Sequence, residues 1–439
     1  MSSGRGAEQV VGLAVGRGTG AEVARIFEQF VARFAELNDR NIRVERASRT
    51  YDSYVSLARE CAGIEEIRHR TREDAEHYER FLRERAAAGT PVVFRTAINA
   101  QTLYLVRQRL RAVKEDVLDA GGARLLLVRD QAQGFYTGEN EHSPGRVRRV
   151  TEFSRETTEQ VLHHAVRRAR RLWPGEGPAR IVMAYKFHLL DGALDRWVSD
   201  FGEQHGVDVR VFQPDTVNRN LIAHGPQDRT VLVAGNEWGD IMHVVLLDRF
   251  GAGRQEEHCT RNVHLHPDVE GLVEYQTVHG SADDLEGRDL VNPLATVRAA
   301  AAVAEGYAEC GGAVAAAERA LAAVARAGVR TPDLGGRHSS GAVVSALLDA
   351  LAAEADPVAS GHPVASGRPV ASADSGSPAV PAAASGATGA VPAVVSGATV
   401  AVPSATSGAT AAVPAATSGA TAAAPAAVAP SAPSPVSES

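Results

Sequence analysis

Lysine is nearly absent from this chain. Of 46 basic side chains only Lys114 and Lys186 are lysines; the rest are arginines. Arginine keeps its proton at any working pH, whereas a partly buried lysine can lose it. In a chain that uses arginine almost everywhere, the two remaining lysines mark places where the amine itself is wanted. Cysteine is scarce as well: Cys61, Cys259 and Cys310 are scattered, without metal-ligand spacing. An odd, low count argues against a disulfide framework and suits a reducing compartment. No apolar run approaches the ~20 residues of a membrane span. The polar opening Met1–Gln9 lacks the basic and apolar segments of an export signal. The net charge of −7 leaves no basic footprint for nucleic acid. A cytoplasmic protein with neither membrane nor nucleic acid as partner is expected.

What remains is a globular composition in a long chain: 439 residues, 44% hydrophobic and 23% charged, enough for a large core. The composition changes near Glu354. Beyond it the chain is almost entirely Ala, Ser, Gly, Thr, Val and Pro, and Ser-Gly-Ala-Thr recurs at Ser385, Ser396, Ser407 and Ser418 with an 11-residue period. Recurrent prolines break helices, and small side chains bury too little area to offset ordering entropy. Residues 355–439 are therefore expected to be a disordered tail, or a tether that binds a partner.

Before that boundary, strands and helices alternate. Gln9–Val15 reads as a strand ending in a Gly-rich turn. Ala21–Leu37 carries Val23, Ile26, Phe27, Phe30, Val31 and Phe34 at helical spacing. Leu125–Val128, Ile181–Ala184, Val207–Phe212 and Val231–Ala234 read as buried strands. Glu156–Leu172, Gly192–Phe201, Pro293–Tyr307, Ala313–Ala327 and Gly341–Ala353 read as helices. The alternation indicates an α/β fold.

The chemistry-bearing residues lie in three ordered segments. The first runs from Val128-Arg129-Asp130 to Phe135-Tyr136-Thr137-Gly138. The second is Asn236-Glu237-Trp238-Gly239-Asp240-Ile241, with Asp215 upstream. The third is His279-Gly280-Ser281-Ala282-Asp283-Asp284-Leu285, ending in Asn292-Pro293. Arg129 offers a planar fork for a carboxylate, or pairs with an acid at a strand end. Asp215 and Asp240 are hard oxygen donors for Mg²⁺ or Mn²⁺, or helix caps. The turn Gly16-Arg17-Gly18-Thr19-Gly20 between a strand and a helix is, alone, a weak nucleotide signal.

Together these segments resemble the isocitrate and isopropylmalate dehydrogenases, the β-decarboxylating dehydrogenases. That family carries Arg-Glu-Asn-x-Glu-Gly-x-Tyr-x-Gly, then Asn-x-x-Gly-Asp-Ile, then His-Gly-Ser-Ala-Pro-Asp-Ile followed by Asn-Pro. It opens on Gly-Asp-Gly-Ile-Gly-Pro-Glu, which the Gly16 turn matches. The resemblance covers residues 10 to about 350. It implies a two-domain α/β fold with the active site in the cleft. A large domain would combine residues 1–100 and 250–354 and hold the nucleotide. A small one, residues 101–249, would carry the substrate and metal residues and a homodimer interface.

By the same resemblance, Tyr136 protonates the enolate carbon and Lys186 accepts the hydroxyl proton. Arg129, with Asn99 and Lys114, binds the substrate, and Asp215 and Asp240 hold Mg²⁺ or Mn²⁺. His279, Gly280, Ser281, Ala282, Leu285 and Asn292 contact the dinucleotide, and Asp284 favours NAD by accepting from the ribose hydroxyls. The implied reaction is NAD-dependent oxidation, with decarboxylation, of a malate-like 2-hydroxy diacid.

The sequence also departs from the family. Arg17 replaces the acidic residue of the opening turn, and Ala21 replaces its Pro. Gln276 replaces the Glu before His-Gly. Val244 stands where a third metal-binding Asp follows Asp240 by four residues. The substrate-reading helix, Thr96–Asp116, lacks the Ser-x-Asn-x-x-x-Arg register, and the Lys186 segment needs a gap. These departures suggest an unusual substrate and leave two alternatives open: oxidation without loss of CO₂, and a non-catalytic regulatory paralogue.

Overall fold

The Gly-rich segment folds as its pattern predicts. β1 (Gln9–Gly16) feeds through the glycine turn into α1 (Gly20–Leu37), whose Val23, Ile26, Phe27, Phe30, Val31 and Phe34 are all buried. Phe27 stacks on Phe94 with ring centroids 4.1 Å apart. Burying each such ring contributes about 2–3 kcal/mol. The computed structural model describes residues 8–253, 258–277 and 280–355. His279 and the segment expected to be a disordered tail lie outside the described residues.

The chain continues through β2 (Ile42–Tyr51), α2 (Tyr54–Glu60), α3 (Ile64–Ala87), β3 (Val92–Arg95) and α4 (Ala100–Arg109). A β-meander follows, β4 (Ala112–Ala120) and β5 (Ala123–Asp130), then an exposed hairpin of β6 (Glu139–Ser143) and β7 (Arg146–Val150). Next come α5 (Arg155–Leu172), β8 (Arg180–Ala184), α6 (Ala193–His205), β9 (Val209–Phe212), α7 (Pro214–His224), β10 (Thr230–Gly235) and α8 (Asn236–Phe250). The last described elements are β11 (Cys259–His264), β12 (Val273–Thr277), α9 (Leu294–Tyr307), α10 (Ala313–Arg326) and α11 (Ser340–Ala355).

Ten strands form one mixed sheet in the order β2-β1-β3-β12-β11-β4-β5-β10-β8-β9. Both flanks are parallel; the centre, β12-β11-β4-β5, is antiparallel. One face packs against α1, α5, α6 and α9 in a continuous apolar core. The other face is apolar only in part, and its polar part is where the chemistry gathers.

Two expectations need correction. Thr96–Asp116 is not one helix. α4 ends at Arg109, Arg111 turns the chain at φ 50°, and Lys114 lies on β4. Ala112, Val113 and Leu118 are buried strand residues, and that burial wins over the helical reading. β9 is a half-buried edge strand, not a buried one, because it has a sheet neighbour on one side only.

Candidate active site

A row of polar residues crosses the centre of the sheet. Arg129 pairs in register with Lys114, Lys114 with Asn262, and Asn262 with Glu274. Residues directly opposite in neighbouring strands share a face, so these four side chains stand side by side. One step along, Gln276 pairs in register with Arg95 on the same face. α3, α4 and α8 supply Tyr78, Arg107 and Asp240 to this row.

At one end lies Glu274, fully buried. It accepts from Arg95 Nε at 2.8 Å, Asn262 Nδ2 at 2.7 Å and Tyr78 Oη at 2.7 Å. Burial pushes its carboxyl up, but Arg95 and Arg107 overcome that and hold it at about 2. At the other end Arg129 donates to Asp116 at 2.5 Å and to Asp240 at 2.7 Å. Its stem lies against α8 where a Cβ on Gly239 would come within 2.4 Å of Arg129 Cγ. The glycine therefore lets α8 approach the strand closely enough for Asp240 to reach the guanidinium.

Lys114 is buried between these ends, and its ammonium has no hydrogen-bond or ion-pair partner among the described residues. Burial, with Arg129 and Arg107 nearby, drives its pKa well below the usual lysine range. Tyr136, in the short turn Phe135–Thr137, packs on Tyr104 of α4 with ring centroids 4.4 Å apart. Burial and the carboxylates of Asp240 and Glu237 raise its phenol. Asn99 precedes α4 and donates to Thr71 at 3.3 Å. Arg129, Lys114, Asp240, Tyr136 and Asn99 are thus gathered around one face of the sheet.

Lys186 and Asp215 form a separate pair. Lys186 Nζ donates to Asp215 at 2.8 Å and lies 5.7 Å from the Trp238 ring, which places the pair beside the start of α8. The Lys186 hydrogen bond lowers the Asp215 carboxyl. Among the described residues no three His, Cys, Asp or Glu side chains converge as a metal cluster. Asp240 is 44% exposed, and Val244, one helical turn on, is exposed and has no donor. His243 is buried and faces inward. The donor chemistry nevertheless fits Mg²⁺ or Mn²⁺, since such ions keep several waters and take one or two protein carboxylates plus substrate oxygens.

Of the residues expected to contact a dinucleotide, Ser281 meets the glycine turn directly. Ser281 O accepts from Thr19 N at 2.9 Å and Thr19 Oγ1 at 3.0 Å. A Cβ on Gly18 would come within 2.5 Å of that same oxygen. Ala282 is left-handed, at φ 43°. Asp283, where the family motif has Pro, accepts from Ser281 Oγ at 2.6 Å and Ser53 Oγ at 2.7 Å. Gly280, Asp284 and Leu285 lie in the same loop, with Asp284 exposed. Asn292 is committed locally, donating to Asp333 at 2.8 Å and accepting from Leu294 N at 3.0 Å. A pocket of about 570 Å³ adjoins the turn, lined by Arg17, Arg46, Arg49, Arg59, Asp283 and Glu286 among others. Arg17, which replaces an acid in the turn, pairs with Glu60 at 2.6 Å and Asp52 at 3.2 Å. A groove of similar volume against β9 and α7 lies away from the polar row and has mostly apolar walls.

Sequence reasoning missed Arg95, Asp116, Asn262 and Glu274. The available signal was charge inside otherwise apolar strands. The alignment of four separate strands that makes these residues neighbours is a tertiary fact.

Known proteins match in the same terms. The 3-isopropylmalate dehydrogenase of Lactococcus lactis is 27% identical over 231 residues, covering 51% of this chain and 62% of the relative. The chain spans about three-fifths of the length of the relatives it matches. Two solved structures share the fold. The beta-decarboxylating dehydrogenase of Thermococcus kodakarensis has 22% identity and a TM-score of 0.51, covering 78% of this chain and 96% of that one. The isocitrate dehydrogenase of Methylococcus capsulatus has 16% identity and a TM-score of 0.54, covering 78% and 99%. The model of the isocitrate/isopropylmalate dehydrogenase family matches residues 90–350, more than half of the chain. With the ordered motifs and the shared fold, that match makes this protein a member of the isocitrate/isopropylmalate dehydrogenase family.

Proposed function

We propose that this chain oxidises and decarboxylates a malate-like 2-hydroxy diacid, using NAD and a divalent cation. The observation that carries the reading is the gathering of Arg129, Lys114, Asp240 and Tyr136 on one face, with Arg129 2.7 Å from Asp240. Arg129 presents a forked donor to a substrate carboxylate, and Lys114 supplies a second donor that nothing else among the described residues occupies. Asp240 would hold the cation together with Asp215, the latter contributed across a homodimer interface. Exposed Ile222, Ile241 and Val244 on α7 and α8 support that interface. The strand order supports a division into two domains, since the strands from residues 1–100 and 250–354 lie together and those from 101–249 lie together.

Lys186 takes the proton from the substrate hydroxyl, and Tyr136 returns one to the enolate carbon after CO₂ leaves. A bound cation would polarise the hydroxyl and the new carbonyl, and NAD would supply the hydride acceptor. Asp284 accepts from the ribose hydroxyls. Val244 favours a second reading, oxidation without loss of CO₂, because it removes one oxygen donor that would stabilise an enolate.

Turnover tests both readings. Purified protein receives NAD, Mn²⁺ and a panel of 3-substituted malates, with reduced nicotinamide and CO₂ followed separately. Both signals are expected on one or more members. Reduced nicotinamide alone would replace the first reading by the second. Absence of NAD binding would leave the regulatory paralogue.

A further inference from the structure

Lys114 carries an amine that its surroundings leave unused. Only one other lysine occurs in the sequence, and that one, Lys186, is tied to Asp215. Lys114 stands on β4 between Arg129 of β5 and Asn262 of β11, in register with both. The nearby carboxylates are already taken. Arg129 donates to Asp116 and to one oxygen of Asp240, and Asn236 Nδ2 donates to the other oxygen of Asp240 at 3.1 Å. Asn262 Oδ1 is buried without a donor, so the amine does not reach it either. Arg107 Nε and Arg129 Nε are buried and unpartnered as well, whereas the unpartnered Lys114 amine keeps part of its surface open.

Burial, and after it the charges of Arg129 and Arg107, press this amine towards its neutral form. A neutral lysine attacks carbonyl carbons, and desolvation beside another cation is one way to obtain it. The register supplies a target. Paired residues of antiparallel strands have Cβ atoms about 4.5–5.5 Å apart. With the 1-carboxylate of the substrate on Arg129, the neighbouring stem brings the Lys114 amine towards carbon 2, the carbon oxidised to a ketone. Val244 adds a need, since the exposed valine offers no oxygen to a cation that would stabilise an enolate.

We propose that Lys114 is a nucleophile that forms an imine with the 2-oxo diacid and serves as the electron sink for loss of CO₂. The proposal rests on the reading of the chain as a 2-hydroxy diacid dehydrogenase and gives Lys114 a step after the oxidation. The amine nitrogen adds to the ketone carbon, one proton is taken up, and the ketone oxygen leaves as water. A protonated imine remains. The bond to the β-carboxylate breaks, CO₂ leaves, and the electron pair passes into the enamine. Tyr136 protonates the enamine carbon. Water then adds to the imine carbon, the amine is expelled, and the proton taken up at the start is returned. No oxidant or reductant is consumed in these steps.

The test uses the full chain with chelator and without NAD, so that neither a cation nor the oxidation contributes. 2-Oxopentanedioate, which has no β-carboxylate to lose, is added with cyanoborohydride, which reduces imines to stable amines. Peptide mass is expected to place the adduct on Lys114 in preference to Lys186. 2-Oxobutanedioate, which has the β-carboxylate, should release CO₂ faster with protein than in buffer. Lys114→Met has similar volume and no nucleophile, and it should lose both signals. Lys114→Arg keeps a cation in the strand and should lose both as well, which decides the matter if the first variant fails to fold. An adduct absent from Lys114, or CO₂ release no faster than in buffer or unchanged in the variants, would overturn the proposal and leave the dehydrogenase reading standing. If both signals depend on Lys114 while no malate reduces NAD, the imine stands and the dehydrogenase reading falls.

Discussion

The two ends of the polar row are built on opposite terms. At the Glu274 end, three donors converge on a carboxylate that is 1% exposed. At the Arg129 end, Asp240 is 44% exposed, Lys114 has no acceptor among the described residues, and Tyr136 is half-buried. Buried polar groups are nearly always satisfied, and a group that is not needs a reason. At the closed end, Glu274 itself is fully satisfied and reads as a group that fixes the strands, while Arg107 Nε, Asn262 Oδ1 and both ring nitrogens of His264 beside it are buried without partners among the described residues. The open end is the part a ligand completes.

The sharpest way to break this contrast is Glu274→Gln. It leaves Arg95 buried without its counter-charge and is expected to cost about 3–5 kcal/mol, read by urea unfolding. The loss should depend on pH. Glu274 titrates near 2 in the fold and near 4.5 when free, so its stabilisation is full above pH 4.5 and is lost as pH falls through 2. A loss below about 1 kcal/mol at neutral pH would show that the closed end is no anchor.

At the open end the larger effect should fall on activity. Arg129→Lys keeps the charge but not the fork, and kcat/KM should fall about 100-fold, with a smaller change in unfolding free energy. A variant that loses stability and no activity would merge the two ends into one structural feature.

Asp240→Asn tests the metal directly. With Mn²⁺ at about 100 times its dissociation constant, the native fold should gain about 2.7 kcal/mol, seen as a rise in Tm that chelator reverses. The variant should lose that rise, and its Tm without metal should change little because the side chain is half exposed. The smallest effect is a gain. Val244→Asp restores an oxygen donor one turn after Asp240 and should tighten Mn²⁺ by about tenfold. No change would mean that Val244 lies outside the metal's reach.

Much of the fold was legible because local pattern and tertiary structure agree. The apolar spacing of Val23 to Phe34 forms the buried stripe of α1, and the apolar run of Val231–Ala234 is the core of β10. Lys114 was misplaced on a helix because the family resemblance carries a substrate-reading helix over Thr96–Asp116, and the spacing of Arg107, Arg109 and Arg111 is the period of two of a strand. Only the left-handed turn at Arg111, invisible in composition, ends the helix. The motif residues of the site were legible by order and spacing. Glu274 and Asn262 were not, because each is an unremarkable polar residue in its own strand. Their meaning comes from strand register, with Glu274 opposite Asn262 and Asn262 opposite Lys114.

The placement of the two lysines also makes the protein a chemical reporter. Of its two side-chain amines, Lys114 is 8% exposed on the face offered to substrate, while Lys186 is 33% exposed beside Asp215 and Trp238. A bulky acylating reagent therefore reaches Lys186 first, and in the proposed homodimer it stands on the surface that would meet a second copy. If the proposed homodimer forms through that surface, its labelling rate, read by peptide mass, will fall as the protein concentration rises. A fluorophore placed there sits beside an indole whose emission it can quench.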